Sequence, residues 1–209
     1  MHMNRILGLC VLLLAAPAFG EIVEKKITFE DGLGSAVLYY DDAIKEPTAG
    51  VVVVHEWWGM DDYTRSRAKQ LAAAGYTAVA VDMYGHGKLA QHPGDAKAFM
   101  NAALENPDAM NARFDAALSA LASAPNVDPK QHYAIGYCFG GAVVLNQARR
   151  GKELAGVASF HGSLGTDKPT APGVIKARIL VATGADDPMV PAQQVGDFVV
   201  EMSNAGAEL

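Results

Sequence analysis

The chain has little cysteine, no clustered positive charge, and no long apolar run beyond its first twenty residues. Each shortage removes a class of protein. Two cysteines, Cys10 and Cys138, are too few for a disulfide scaffold. Lysine and arginine number 17 against 23 acidic residues, giving a formal net charge of -6, and they form no run. Nucleic acid and anionic membrane surfaces are therefore not expected as partners. The six histidines show no zinc-ligand spacing, and no G-x-G-x-x-G follows a strand-like segment, so neither a metal nor a dinucleotide cofactor is expected. There is no internal repeat, low-complexity tract or linker. Half of the 209 residues are hydrophobic, enough for one sizeable core and short for two.

The chain opens with Arg5, an apolar run over 6–16, and small-residue cleavage sites at Ala16-Pro17-Ala18 or Ala18-Phe19-Gly20. This is the pattern of a secretory signal over residues 1–20, followed by a single domain over 21–209. The run is shorter than the roughly 20 residues that span a bilayer, so no stable membrane anchor is expected after cleavage. Export to the bacterial periplasm or the medium follows. Cys10 leaves with the signal, which makes Cys138 the sole thiol of the mature chain and denies it an intramolecular disulfide.

Residues 22–30 and 35–40 alternate in polarity around Asp31-Gly32-Leu33-Gly34, as an antiparallel edge hairpin would. Gly50-Val51-Val52-Val53-Val54 is continuously apolar, the mark of a strand buried on both faces. Asp61 or Asp62 can cap a helix whose apolar face includes Ala68, Leu71 and Ala72 and which Gly75 ends. Strands follow at 76–81, at Tyr133-Ala134-Ile135, at 155–160 and at 177–183; helices at 95–104, 107–122, 142–149 and 192–205. Strand and helix alternate, which predicts an α/β fold with a mostly parallel sheet covered on both faces. Ligands gather at the carboxyl ends of such strands. Those ends carry His55-Glu56-Trp57-Trp58-Gly59, the segment 82–87, Cys138, His161-Gly162 and the segment 184–191.

Among these, Gly136-Tyr137-Cys138-Phe139-Gly140 has the G-x-nucleophile-x-G spacing of a strand that reverses sharply into a helix. Flanking glycines relieve collisions at a strained central residue. The sulfur is set at a helix N-terminus, where free N–H groups favour a thiolate and a developing oxyanion. A merely packed cysteine is the bland alternative, and its status as sole thiol speaks for chemistry. A nucleophile needs a base, and the base a carboxylate; Asp186 and Asp187 follow the strand at 177–183. Glu56, separated from four valines only by His55, is either a strand-end charge reaching water or a tuned active-site group.

Three motifs in this order, His55 to Gly59, Gly136 to Gly141 and Asp187-Pro188-Met189-Val190-Pro191, resemble the dienelactone hydrolase family, a cysteine-nucleophile branch of the alpha/beta-hydrolase fold. The resemblance implies a hydrolase of small esters or lactones that works through an acyl-thioester on Cys138. It makes Asp187 the triad acid, Glu56 a regulator of the thiol's ionisation, and the backbone N–H groups of Trp57 and Phe139 the oxyanion hole. His161, Trp58, Tyr84 and His86 would line the pocket. Dienelactone itself is not implied, because Gly85-His86-Gly87-Lys88 stands where an arginine contact is expected. No histidine occurs after His161. The resemblance thus sets the triad histidine beyond Leu209, together with a last strand and a closing helix, in a longer enzyme. Two alternatives stay open: His161 or His55 as the base, or a non-catalytic binding protein on a hydrolase fold.

Overall fold

The computed structural model describes residues 20–209, so the signal-like segment lies almost wholly outside the described residues. Its centre is the valine run. Val51 and Val53 pack on one side, Val52 and Val54 on the other, and all four are buried. A strand apolar on both faces belongs in the middle of a sheet that is covered twice.

Seven strands take the order β1 (Ile22–Thr28), β2 (Ser35–Asp41), β4 (Thr77–Val81), β3 (Thr48–Val54), β5 (Val127–Tyr137), β6 (Gly156–Phe160), β7 (Arg178–Ala182). The β1–β2 and β2–β4 pairs are antiparallel; the remaining four pairs are parallel. Helix α1 (Asp62–Ala73) covers one face through Ala68 and Ala72. The other face is covered by α3 (Pro107–Ala122), α4 (Phe139–Arg149) and α5 (Ala192–Ala205), through Phe114, Leu121, Val143, Val144, Phe198 and Met202. Helix α2 (Pro93–Leu104) lies against α3.

Local signals account for the boundaries. Asp61, rather than Asp62, caps α1, its Oδ1 accepting the Thr64 N–H at 2.9 Å. Pro93 and Pro107 open α2 and α3, where a missing N–H costs nothing. Two elements are longer than their sequence signals. β5 extends back through the polar residues 127–132 because it pairs with β3 from Thr48 onward. α4 starts at Phe139 rather than Ala142, because the Cys138 carbonyl already accepts from Gly141 and Ala142.

After α5, Gly206 turns with φ 69° and the chain runs back beside β7, where the Ile179 N–H donates to the Glu208 carbonyl at 2.8 Å. On the α1 side, Ile135, Ala158 and Leu180 share one row of β5, β6 and β7 and line a groove of about 420 Å³. No helix among the described residues is long and apolar enough to cross a membrane.

One ion pair fastens α4 to α5. Arg149 bonds Glu201 in a fork, at 2.9 and 2.7 Å, and also donates to the Leu164 carbonyl at 2.7 Å. Both side chains are almost fully buried, so removing one partner strands a charge. Glu201→Ala is expected to destabilise the fold by about 3–5 kcal/mol, as read by urea unfolding. A loss below about 1 kcal/mol, the size of an exposed pair, would contradict this.

Candidate active site

Two glycines let helix α4 reach the sheet. A Cβ on Gly136 would lie 2.0 Å from the Gly140 carbonyl oxygen, and one on Gly140 would lie 2.5 Å from the Val54 oxygen. Neither position can carry a side chain. Between them Cys138 takes φ 52° and ψ -115°, a conformation that non-glycine residues rarely adopt and that strong surroundings must impose. Here the imposing contact is the sheet ladder: the Cys138 N–H donates to the Phe160 carbonyl at 2.9 Å. One strand over, His161 is also left-handed, φ 58°, and its N–H donates to the Ala182 carbonyl at 2.8 Å.

The loop after β3 supplies the opposite wall. The Trp57 carbonyl accepts from the Tyr84 hydroxyl at 2.9 Å, and the Trp58 carbonyl accepts from the Ala90 N–H at 2.9 Å. Asp82, fully buried, steadies the loop after β4 by accepting N–H groups of Tyr84, Gly85 and Gly87 at 2.8–2.9 Å. Arg113 of α3 reaches the same loop and donates to the Leu33 and Met83 carbonyls at 2.7 and 3.0 Å. Sequence reading gave Asp82 and Arg113 no role. An aspartate before a Gly-His-Gly turn is a legible Asx-turn signal; Arg113 sits mid-helix and has no such signal.

Cys138, Glu56, Asp187 and His161 come together at the strand ends. Asp187 accepts from the Met189 N–H at 2.9 Å through Oδ1 and bonds His161 Nδ1 through Oδ2. These bonds, the histidine's first, hold the Asp187 carboxyl below the usual range. Asp186 is exposed and has no such partner among the described contacts. Burial pushes the Glu56 carboxyl up, the Asp61 charge adds to it, and His161 acts against it. The backbone N–H groups of Phe139 and Trp57 lie close enough to the Cys138 sulfur to favour its charged form.

They do not win. Burial raises the Cys138 thiol above its ordinary pKa, and the Glu56 and Asp187 charges raise it further. The helix N-terminus favours a thiolate, as its sequence position implies, but burial and two carboxylates make the protonated thiol the resting form.

His55 is not a free base. Its ring is fully buried, Nε2 accepts the Met83 N–H at 3.1 Å, and Nδ1 bonds the Glu56 carbonyl, so both nitrogens are occupied. Tyr84 is buried, with its ring 4.7 Å from His55 and 5.4 Å from Phe139. Trp58 is half-buried and packs edge-on to Trp57 at 5.3 Å. His86 stands apart from this group: it is exposed, beside Gly32 of the β1–β2 turn. No cluster of metal-binding side chains occurs among the described residues.

An open, mostly parallel sheet with a thiol on a strand-to-helix elbow defines an α/β-hydrolase type of protein. The comparisons narrow this. The dienelactone hydrolase family model matches residues 35–209. The solved structure of m3DLH superposes with a TM-score of 0.83 at 33% identity, covering 90% of this chain and 80% of that one. Protein usf of Aquifex pyrophilus is 30% identical over 166 residues, 77% of this chain and 71% of that protein. A putative carboxymethylenebutenolidase of Aquifex aeolicus (strain VF5) is 29% identical over 117 residues, 54% of this chain and 50% of that protein. The chain belongs to the dienelactone hydrolase family, a family of carboxylic ester hydrolases.

Glu56 gives the electrostatics a direct check. Its negative charge disfavours the thiolate, so Glu56→Gln removes one cause of the raised thiol pKa. The pH midpoint for alkylation of Cys138 by iodoacetamide is expected to move down in Glu56→Gln. An unchanged or higher midpoint would contradict the placement of Glu56 beside the sulfur.

Proposed function

We propose that this protein hydrolyses small esters or lactones by acyl transfer to the Cys138 sulfur. The observation that carries the reading is the convergence of two backbone N–H groups, Trp57 and Phe139, on the one thiol among the described residues. The relative named as a putative carboxymethylenebutenolidase supports a lactone or ester as the substrate class.

Asp187 holds His161 by Nδ1, which leaves Nε2 as the basic nitrogen of that ring. In the proposed reaction His161 takes the proton of Cys138 as sulfur attacks the carbonyl carbon. The tetrahedral oxyanion leans on the Trp57 and Phe139 N–H groups. The carbonyl re-forms, the C–O bond of the leaving alcohol breaks, and the imidazolium returns the proton to that oxygen. Water, deprotonated by the same imidazole, then attacks the thioester, and the acid departs with the sulfur reprotonated. Burial, with the Glu56 and Asp187 charges, keeps the thiol protonated until substrate arrives. The leading segment over 1–20 supports export, which puts the reaction in the bacterial periplasm or the medium.

Cys138→Ala is expected to lower hydrolysis of a p-nitrophenyl ester by at least about 10³-fold. Unchanged turnover would sink the nucleophile assignment and move the attack to another group, whereas a wild-type chain without turnover would leave a binding protein on a hydrolase fold. His161→Gln is expected to slow acylation of Cys138 by about 10²–10⁴-fold. Acylation at the original rate would move the base to another residue while keeping the nucleophile.

A further inference from the structure

His55 is buried at the end of β3 with both ring nitrogens engaged, yet it has no part in the proton transfers above. The Met83 N–H points at Nε2, which therefore presents a lone pair and carries no proton. The proton is left on Nδ1, and Nδ1–H donates to the carbonyl oxygen of Glu56. That carbonyl belongs to the same planar unit as the Trp57 N–H. In a trans peptide the C=O and N–H point in opposite directions, so a grip on the oxygen sets the direction of the hydrogen. The His55 ring is itself held between Tyr84, at 4.7 Å, and Phe139, at 5.7 Å. Phe139 carries the second N–H that faces the sulfur. The next peptide is gripped as well, by the Tyr84 hydroxyl on the Trp57 carbonyl at 2.9 Å.

We propose that His55 is a positioning residue of the oxyanion hole: by donating to the Glu56 carbonyl it aims the Trp57 N–H at the developing oxyanion. The same bond polarises the peptide unit and makes its N–H a stronger donor. The bland alternative is a strut that joins the ends of β3 and β4 through the Met83 N–H. The two roles use different ring nitrogens and can be separated. The inference rests on the thiol-hydrolase reading above.

Two reagents divide the effects. Acylation by p-nitrophenyl acetate passes through an oxyanion; alkylation by iodoacetamide does not, and reports only the thiol's presence and ionisation. His55→Asn places an amide N–H where Nδ1 stands and keeps a donor for the Glu56 carbonyl. His55→Gln reaches the Nε2 position, keeping the link to Met83 and losing the donor. His55→Gln is expected to lower the single-turnover acylation rate by about 10²-fold, the scale of one lost oxyanion donor, with alkylation within about 3-fold of wild type. His55→Asn is expected to retain the faster acylation of the two. Three results overturn the inference: Gln acylating as fast as Asn or faster, acylation and alkylation falling in parallel, or His55→Gln losing its thermal transition along with its thiol reactivity. In wild type, alkylation beforehand must abolish p-nitrophenolate release. If it does not, the nucleophile reading itself fails, whatever the variants do.

Discussion

The site depends on how closely helix α4 approaches the end of strand β3. A Cβ at Gly140 would lie 2.5 Å from the Val54 oxygen and 2.6 Å from the His55 oxygen, so only a bare backbone permits the contact. That approach brings the Phe139 N–H, at the start of α4, to the same sulfur as the Trp57 N–H, just past β3. A second close fit repeats the constraint on the other side. A Cβ at Gly141 would lie 2.5 Å from the Ser159 hydroxyl and 2.8 Å from the Gly162 Cα. The elbow is thus wedged between β3 and β6, and the left-handed backbone of Cys138 is the geometry that remains.

The electrostatics follow from that placement. A thiol driven into a half-buried niche between Glu56 and Asp187 stays protonated, although it lies at a helix N-terminus. A protonated sulfur is a poor target for oxidants and metals. In the proposed reaction the thiol then depends on a base acting at the moment of attack, the part given to His161, which Asp187 holds by Nδ1. The loops after β3 and β4 are joined through Tyr84 and Ala90, Asp82 braces the second of them, and α4 is tied to α5 through Arg149.

Much of this was legible in the sequence. Continuous valines announced a doubly covered strand, glycines at fixed offsets announced the elbow, and strand-helix alternation announced the sheet. Cys138, Glu56 and His161 stand out in sequence as chemistry-bearing residues at strand ends, while the choice of Asp187 over Asp186 came from the family resemblance. Pattern could not show how side chains would be oriented. Nothing in the residue types told that both nitrogens of His55 would be occupied, that Asp187 would bond His161, or that His86 would turn toward Gly32 and away from the sulfur. The helix terminus that favours a thiolate is visible in sequence, whereas the burial and the two converging carboxylates that outweigh it are properties of the assembled site. Arg113 lay beyond reach for the same reason, since its partners, Leu33 and Met83, are distant in the chain.

The central claim is that Cys138 carries the acyl group in a covalent intermediate. Its most direct test is mass spectrometry of the intact protein, with peptide mapping, after brief exposure to p-nitrophenyl acetate at neutral pH. The account predicts one acetyl group per chain, located on the Cys138 sulfur, that disappears as fast as acetate is released. An acetyl group on any other residue, or none on Cys138 while ester is being hydrolysed, would contradict it.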